Sequence, residues 1–199
     1  SKDLKVYETY GLEKKKYFYY MGGFDYRKNI FGLIDIYNLF LQSYKGKKFK
    51  LVIIGYANIF IKEKVIEYIK ENKLEDHIII TGYLPTDEAQ SLIKNSYLFL
   101  FPSLYEGFGL PVIEAAGYGI PAVVYKNSAI NEIGNKVITG VKDGDMLGFA
   151  KAIISMIENK QLYNEKKKSG IEMAQLYKWE KTTENLVKLY DKILSRVVK

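Results

Sequence analysis

Two short stretches of the 199-residue sequence carry residue types able to act on a phosphate-bearing ligand. The first, Gly22-Gly23-Phe24-Asp25-Tyr26-Arg27-Lys28-Asn29, delivers adjacent Arg27 and Lys28 on a flexible turn to the start of an amphipathic segment. Two cations beside the free amides and positive dipole end of a helix stabilise a diphosphate. Taken alone, the pair reads more readily as a solvated basic couple on a connecting loop. The second stretch, Pro102-Ser103-Leu104-Tyr105-Glu106-Gly107-Phe108-Gly109-Leu110-Pro111-Val112-Ile113-Glu114-Ala115, holds two carboxylates. Gly107 and Gly109 let a ligand approach the backbone closely, and Pro111 suits a first helical position, where its missing N–H is not needed. Glu114 then falls about one turn into a helix while Glu106 stays on the loop before it, so the two address one ligand from different sides. The plainer alternative is that Glu114 complements the helix dipole and Glu106 is a surface acid.

The elements that must position these residues are legible in the hydrophobic pattern. Tyr17–Met21 (YFYYM), Leu51–Ile54 (LVII), Ile78–Thr81 and Leu98–Phe101 are short apolar runs that read as strands, the first three ended by glycine. Ala122–Val124 supplies a fifth strand and Val137–Thr139 a sixth. Between them lie helical patterns: Asn29 to Tyr44, with Ile30, Leu33, Ile34, Tyr37, Phe40 and Leu41 at three- and four-residue steps; Ile59–Glu71; a segment opened by Pro85-Thr86-Asp87-Glu88; and Leu110 or Pro111 to Gly117. Beyond Asp143-Gly144-Asp145, the segments Met146–Ile157, Asn164–Tyr177 and Trp179–Val197 are all helical in pattern. Short buried strands alternating with amphipathic helices predict an α/β fold, a doubly wound parallel sheet of Rossmann-like type with a helical C-terminal tail. In such folds ligands bind outside the carboxyl ends of the strands, which selects Gly22–Asn29, Gly55–Asn58, Gly82–Pro85 and Pro102–Glu114.

Composition removes several chemistries. The absence of cysteine excludes disulfides and thiolate sites, and a lone histidine, His77, excludes a multi-histidine metal cage and disfavours a Ser-His-Asp triad. His77 precedes the third strand, at the end opposite the ligand crevice, and reads as a loop or capping residue. No apolar run approaches the roughly 20 residues that span a bilayer, and no signal-peptide core begins the chain. The first residue is Ser1 and not methionine, which suggests an excised piece. No G-x-G-x-x-G follows the first strand and no P-loop G-K-[ST] occurs. The net charge of +7 is uneven: residues 1–20 carry five lysines against three acids, residues 21–159 balance at fifteen each, and residues 160–199 carry ten bases against five acids. With only two arginines, Arg27 and Arg196, nucleic acid is not expected as a partner. The basic tail is either a solvated face or a contact with anionic lipid. The many Tyr and Phe residues read as core and strand packing, not as a base-stacking surface.

The stretch PSLYEGFGLPVIEAAGYGIPAVV, with Glu106 and Glu114 in an E-x7-E spacing, resembles retaining glycosyltransferases of family 4, which have the GT-B architecture. GGFDYRKN after the first strand, LVIIG after the second, ITGYLP after the third and Trp179-Glu180 opening the last helix agree in order, so the likeness covers roughly residues 17–190. The resemblance implies that Lys28 holds the donor diphosphate, with Arg27 beside it, that Glu106 lies near the transferred sugar and that Glu114 accepts the ribose hydroxyls. It further implies that the backbone from Gly107 and Phe108 to Gly109 and Leu110 meets sugar and phosphates, that Tyr83 and Leu84 pack the base, and that Gly55, Tyr56 and Ser103 are neighbours. Many members carry an arginine just after the first-strand glycine, where this chain has Gly23. Arg27 is the candidate to take over that role.

On this likeness the function is transfer of a sugar from a UDP- or GDP-sugar to a glycan or lipid-linked acceptor with retention of configuration. No cofactor or metal is expected, since Arg27, Lys28 and a helix dipole can offset the charge on the departing diphosphate. The alternatives are a non-catalytic nucleotide-sugar-binding module and a sugar-nucleotide epimerase on the same scaffold. The resemblance covers only the C-terminal, donor-binding half of a two-domain enzyme, so residues 1–199 are expected as that domain. Residues 1–16 would be the remnant of the interdomain linker, and residues 179–197 a helix that packs back on an N-terminal, acceptor-binding domain. The expected location is cytoplasmic, with peripheral association at the inner face of the membrane as a variant.

Overall fold

A computed structural model describes residues 2–56 and 58–197, with side chains for 6–56 and 58–195. Ser1, and the last two residues of the expected basic tail, lie outside the described residues. The chain forms one six-stranded sheet whose order is β3-β2-β1-β4-β5-β6, with every neighbouring pair parallel. The strands are β1 (Tyr17–Met21), β2 (Lys50–Ile54), β3 (Ile78–Gly82), β4 (Leu98–Phe101), β5 (Ala122–Tyr125) and β6 (Ile138–Val141). The helices that follow β1 to β4 are α2 (Ile30–Ser43), α3 (Ile59–Glu71), α4 (Thr86–Asn95) and α5 (Leu110–Gly117). The strand order reverses between β1 and β4, where two successive connections leave on opposite faces and open a crevice at the carboxyl ends.

Aromatic residues build the centre of the sheet. Tyr17, Phe18, Tyr19 and Tyr20 of β1 are fully buried, as are Phe99 and Phe101 of β4. Phe18 packs edge-on against Phe40 of α2, their rings 5.2 Å apart, and Tyr19 stacks on Phe99 at 4.6 Å. A buried phenol needs an acceptor, and Tyr17 and Tyr37 meet this need by donating to the carbonyls of Leu92 and Phe49, each at 2.6 Å. The Tyr and Phe enrichment is thus largely spent on the core.

Three departures from the pattern have physical reasons. Residues 1–16, which read as a linker remnant, include helix α1 (Lys2–Tyr10), which buries Val6 and Tyr7 against α4. The Tyr7 hydroxyl donates to the Ser91 carbonyl at 2.7 Å, which fastens this segment to α4. Its few apolar positions are too sparse to announce a helix until α4 covers them. A four-residue helix α6 (Ile130–Ile133) follows β5, too short to have a periodicity. Of the last three helices, α7 (Met146–Glu158), α8 (Lys160–Ala174) and α9 (Trp179–Val197), α8 begins four residues earlier than its apolar pattern. The Asn159 side chain caps it, accepting from the Leu162 amide at 2.9 Å.

Candidate functional site

The loops after β1 and β4 form a floor at the switch point. After β1 the chain makes a 3-10 turn over Tyr26–Lys28 and enters α2 through Asn29, whose left-handed backbone (φ 55°) this residue type tolerates. Asn29 does not cap the helix. Its side-chain amide donates instead to the Pro102 carbonyl at 3.1 Å, and the Leu104 amide donates to the Arg27 carbonyl at 2.7 Å. Two loops more than 70 residues apart are therefore fastened to each other through side chain and backbone.

This fastening brings together three of the expected residues. The Lys28 ammonium donates to Glu106 Oε1 at 2.6 Å, and Arg27 Nη1 lies 3.7 Å from Glu106 Oε2. Lys28 and Glu106 are both buried, at 8% and 6% exposure, whereas the Arg27 side chain is half exposed and also pairs with Asp25 at 3.2 Å. Phe101 lies beneath, its ring centroid 5.0 Å from the ammonium. An ammonium has three donors, and Glu106 occupies one, so Lys28 retains capacity for a phosphate oxygen. The Glu106 loop is itself braced by residues the sequence did not flag. Its amide donates to Ser128 Oγ at 2.9 Å, Ser128 donates to Asn127 Oδ1 at 2.8 Å, and Asn127 donates to the Ser103 carbonyl at 2.9 Å. Only the fold sets the β5–α6 connection against this loop.

Gly109 starts α5 in the left-handed region (φ 89°), and a Cβ there would stand 2.4 Å from Ile130 Cδ1, so only glycine fits. The amides of Gly107, Phe108 and Gly109 donate to no protein acceptor among the described residues. Phe108 and Leu110 are exposed, the former meeting Tyr177 edge to face at 5.9 Å. Ser103 is buried with no partner for its Oγ among the described residues.

Glu114 stands apart from the triad, on an outward position of α5, its carboxylate without a hydrogen bond or ion pair among the described residues. Burial of part of its side chain raises its carboxyl above the usual carboxylate range. Its charge, after burial itself, helps hold the Tyr19 phenol in its neutral form. The remaining expected residues gather at the ends of β2 and β3. Gly55, Tyr56 and Tyr83 line a cleft of about 310 Å³ with Phe24, Ile59 and Lys62. Gly55 has φ 149°, and a Cβ there would lie 1.9 Å from the Gly22 carbonyl oxygen, so its bare backbone is what lets the first two βα loops touch. Leu84 is packed into the core and does not line the cleft. At Gly23 the nearest atoms to an added Cβ would be Asp25 Oδ2 at 3.3 Å, a tight contact, and the Tyr56 carbonyl at 3.9 Å. His77 lies far from this site, its backbone joining α3 to β3 at the amino end of the sheet. No group of three or more His, Cys, Asp or Glu residues among the described residues is arranged to hold a metal ion.

Comparisons with known proteins place the chain in a family. Residues 8–173 match the family model described as glycosyl transferases group 1, and the chain belongs to that family. The O-antigen chain mannosyltransferase B of Escherichia coli is 26% identical over 187 residues, which cover 94% of this chain and 49% of that protein. The chain thus spans about half the length of this relative. Among solved structures, Anabaena HepE in complex with UDP and glucose superposes with a TM-score of 0.84 at 17% identity, covering 96% of this chain and 52% of that one. The C-terminal domain of the Francisella tularensis group 1 glycosyltransferase LpcC superposes with a TM-score of 0.74 at 20% identity, covering 87% of this chain and 91% of that one. At these identities the likeness to solved structures establishes the fold, one Rossmann-like half of the GT-B architecture.

Proposed function

We propose that this group 1 glycosyltransferase chain is the donor-binding half of a retaining enzyme that moves a sugar from a UDP- or GDP-sugar to a glycan or lipid-linked acceptor. The observation that carries the reading is the buried Lys28–Glu106 pair, 2.6 Å long, with Arg27 beside it, at the one place where the strand order reverses. A nucleotide laid in the cleft beside Tyr56 and Tyr83 would direct its diphosphate toward Lys28 and Arg27 and the unpaired amides of Gly107–Gly109. Glu114 would accept the ribose hydroxyls. Glu106, held by Lys28 and by Ser128, would orient hydroxyls of the sugar.

In the transfer step the bond between the anomeric carbon and the diphosphate oxygen breaks, and its electron pair leaves with the nucleoside diphosphate. The acceptor oxygen bonds to the same face of the anomeric carbon, and its proton passes to the diphosphate. Lys28, Arg27 and the α5 amides oppose the charge that builds on the leaving group, which lowers the barrier most if they are already in place. They are fixed here by loop-to-loop hydrogen bonds, so little reorganisation is needed, and the reading requires no metal.

The acceptor site belongs, in this reading, to a further domain. Helix α9 supports this: Leu186, Val187, Tyr190, Ile193 and Leu194 are all 45–60% exposed on one amphipathic helix, an apolar face with no cover among the described residues. The 199-residue chain alone is then expected to bind nucleotide and to transfer sugar weakly or not at all. A thermal-shift screen with UDP-, GDP- and ADP-sugars, followed by a transfer assay, tests both parts. Stabilisation by one nucleotide class, about 2.7 kcal/mol when ligand exceeds Kd by about a hundredfold, is the expected result. Robust transfer by the chain alone would overturn the two-domain reading, and no stabilisation by any nucleotide would overturn the donor site.

A further inference from the structure

At the opposite end of the sheet the chain gathers charge that the donor site does not use. The turn from α1 to β1 supplies Lys14, Lys15 and Lys16, and the turn from α2 into β2 supplies Lys47, Lys48 and Lys50. Because β1 and β2 are parallel neighbours, paired from Tyr17↔Lys50 onward, their amino ends bring these two lysine clusters to one groove of about 940 Å³. Two carboxylates, Glu13 and Asp76, also line it, leaving an excess of four positive charges.

The lysines are not equivalent. Lys16 is paired with Glu13 at 2.6 Å, and Lys15 donates to the carbonyls of Lys94 and Ser96 at 3.0 and 2.9 Å. Burial, and after it the charge of Lys167, hold Lys15 below the usual ammonium range. Lys14, whose ammonium lies 5.6 Å from the Tyr7 ring, and Lys47 and Lys48 are exposed and have no carboxylate or carbonyl partner among the described residues. Like charges held together without partners repel and cost stability unless an anion is there to be met.

We infer that this groove is a second anion site, which binds a linear polymer carrying closely spaced phosphates and which is separate from the donor-diphosphate site. Each of β1 and β2 is five residues long, so the groove and the Lys28 site are roughly 17 Å apart along the strands. The groove's shape and composition select the occupant. Its apolar residues, Leu12 and Phe49, are buried, so it presents no exposed apolar side chain to enter a bilayer or to stack on a base. It contains no arginine, and ammonium groups read phosphates as point charges, without the fork geometry that recognises base edges. A concave strip of lysines therefore suits a baseless phosphate chain better than a flat membrane or a nucleic acid. This inference stands on the charge geometry and does not depend on the transferase reading.

The test uses the 199-residue chain and short-chain inorganic polyphosphate as probe. Binding is followed by calorimetry across a salt series, with the thermal midpoint as a check of folding. Two triple variants are compared: Lys14→Gln/Lys47→Gln/Lys48→Gln in the groove, and Lys181→Gln/Lys188→Gln/Lys192→Gln on exposed α9. The expected result is a loss of about tenfold or more for the groove variant, with the log–log salt slope reduced in magnitude by about two, and no comparable loss for the α9 variant. Equal losses in both variants, or none in either, would overturn the site. Tighter binding of phosphatidylglycerol vesicles or of poly(U) RNA than of polyphosphate, lost with the groove lysines, would overturn the assigned occupant.

Discussion

The Lys28 ammonium stands 2.6 Å from Glu106 Oε1, joining residues 78 positions apart across the junction of β1 and β4. Both side chains are nearly dry, so each is the other's nearest ionic partner. Removing Lys28 leaves a buried carboxylate with only the longer 3.7 Å contact to Arg27. Because Arg27 and nearby solvent compensate in part, Lys28→Ala is expected to lower the unfolding free energy by about 1–3 kcal/mol, at or below the low end for a fully buried pair. Glu106→Gln, which retains an acceptor for Lys28, should cost less. Urea denaturation of the two variants checks the order, and a Lys28→Ala protein as stable as the parent would contradict it.

The raised Glu114 carboxyl gives two opposite pH dependences. Folding raises the carboxyl above its unfolded pKa, so its contribution to stability is full below the ordinary carboxylate pKa and is lost as pH rises through the raised value. Nucleotide binding should run the other way, since only the ionised carboxylate accepts hydrogens from both ribose hydroxyls. UDP affinity is therefore expected to fall as pH drops through the raised Glu114 pKa, and Glu114→Gln should flatten that fall. An unchanged pH profile in the variant would remove Glu114 from the ribose site.

Gly55 tests the loop contact that shapes the cleft. A Cβ placed 1.9 Å from the Gly22 carbonyl, on a backbone at φ 149°, forces either loop to move. Gly55→Ala is expected to destabilise the chain by about 2 kcal/mol or more and to weaken nucleotide binding. Gly82→Ala, also at positive φ (72°) but with nothing within 4 Å of the added Cβ, serves as the comparison and should cost less.

Ser128 separates sugar from nucleotide. It accepts from the Glu106 amide at 2.9 Å and donates to Asn127 Oδ1 at 2.8 Å. Ser128→Ala should cost about 1 kcal/mol of stability and weaken a nucleotide-sugar relative to the bare nucleotide, because it loosens Glu106 and not Lys28. Equal weakening of both ligands, measured by calorimetry, would contradict the placement of Glu106 at the sugar.

What could be read in the sequence was whatever is contiguous. The apolar runs YFYYM and LFLF announce central strands, and GGFDYRKN and YEGFGLPVIE follow two of them, so a strand-end rule was enough to put Lys28 and Glu106 at one crevice, though not to pair them. Residues whose role arises from pairing between distant segments were not legible. Asn127 and Ser128 acquire their function only when the β5–α6 connection is folded against the Glu106 loop. A count of charge along the chain put Lys14–Lys16 and Lys47–Lys50 in different windows, and only the parallel pairing of β1 with β2 makes them one groove. Leu84 shows the converse: adjacent to Tyr83 in sequence, it faces the core, because neighbours at a strand end leave in opposite directions.

The donor-site account rests most directly on Lys28 and Glu114, and isothermal calorimetry with UDP and GDP tests it. The parent chain should bind one of the two. Lys28→Ala should weaken that binding by about 10- to 100-fold, the worth of a charge-assisted hydrogen bond, Glu114→Ala should also weaken it, and Lys188→Ala on α9 should leave it unchanged. If Lys28→Ala and Glu114→Ala bind both nucleotides as tightly as the parent, the pocket assigned here is wrong.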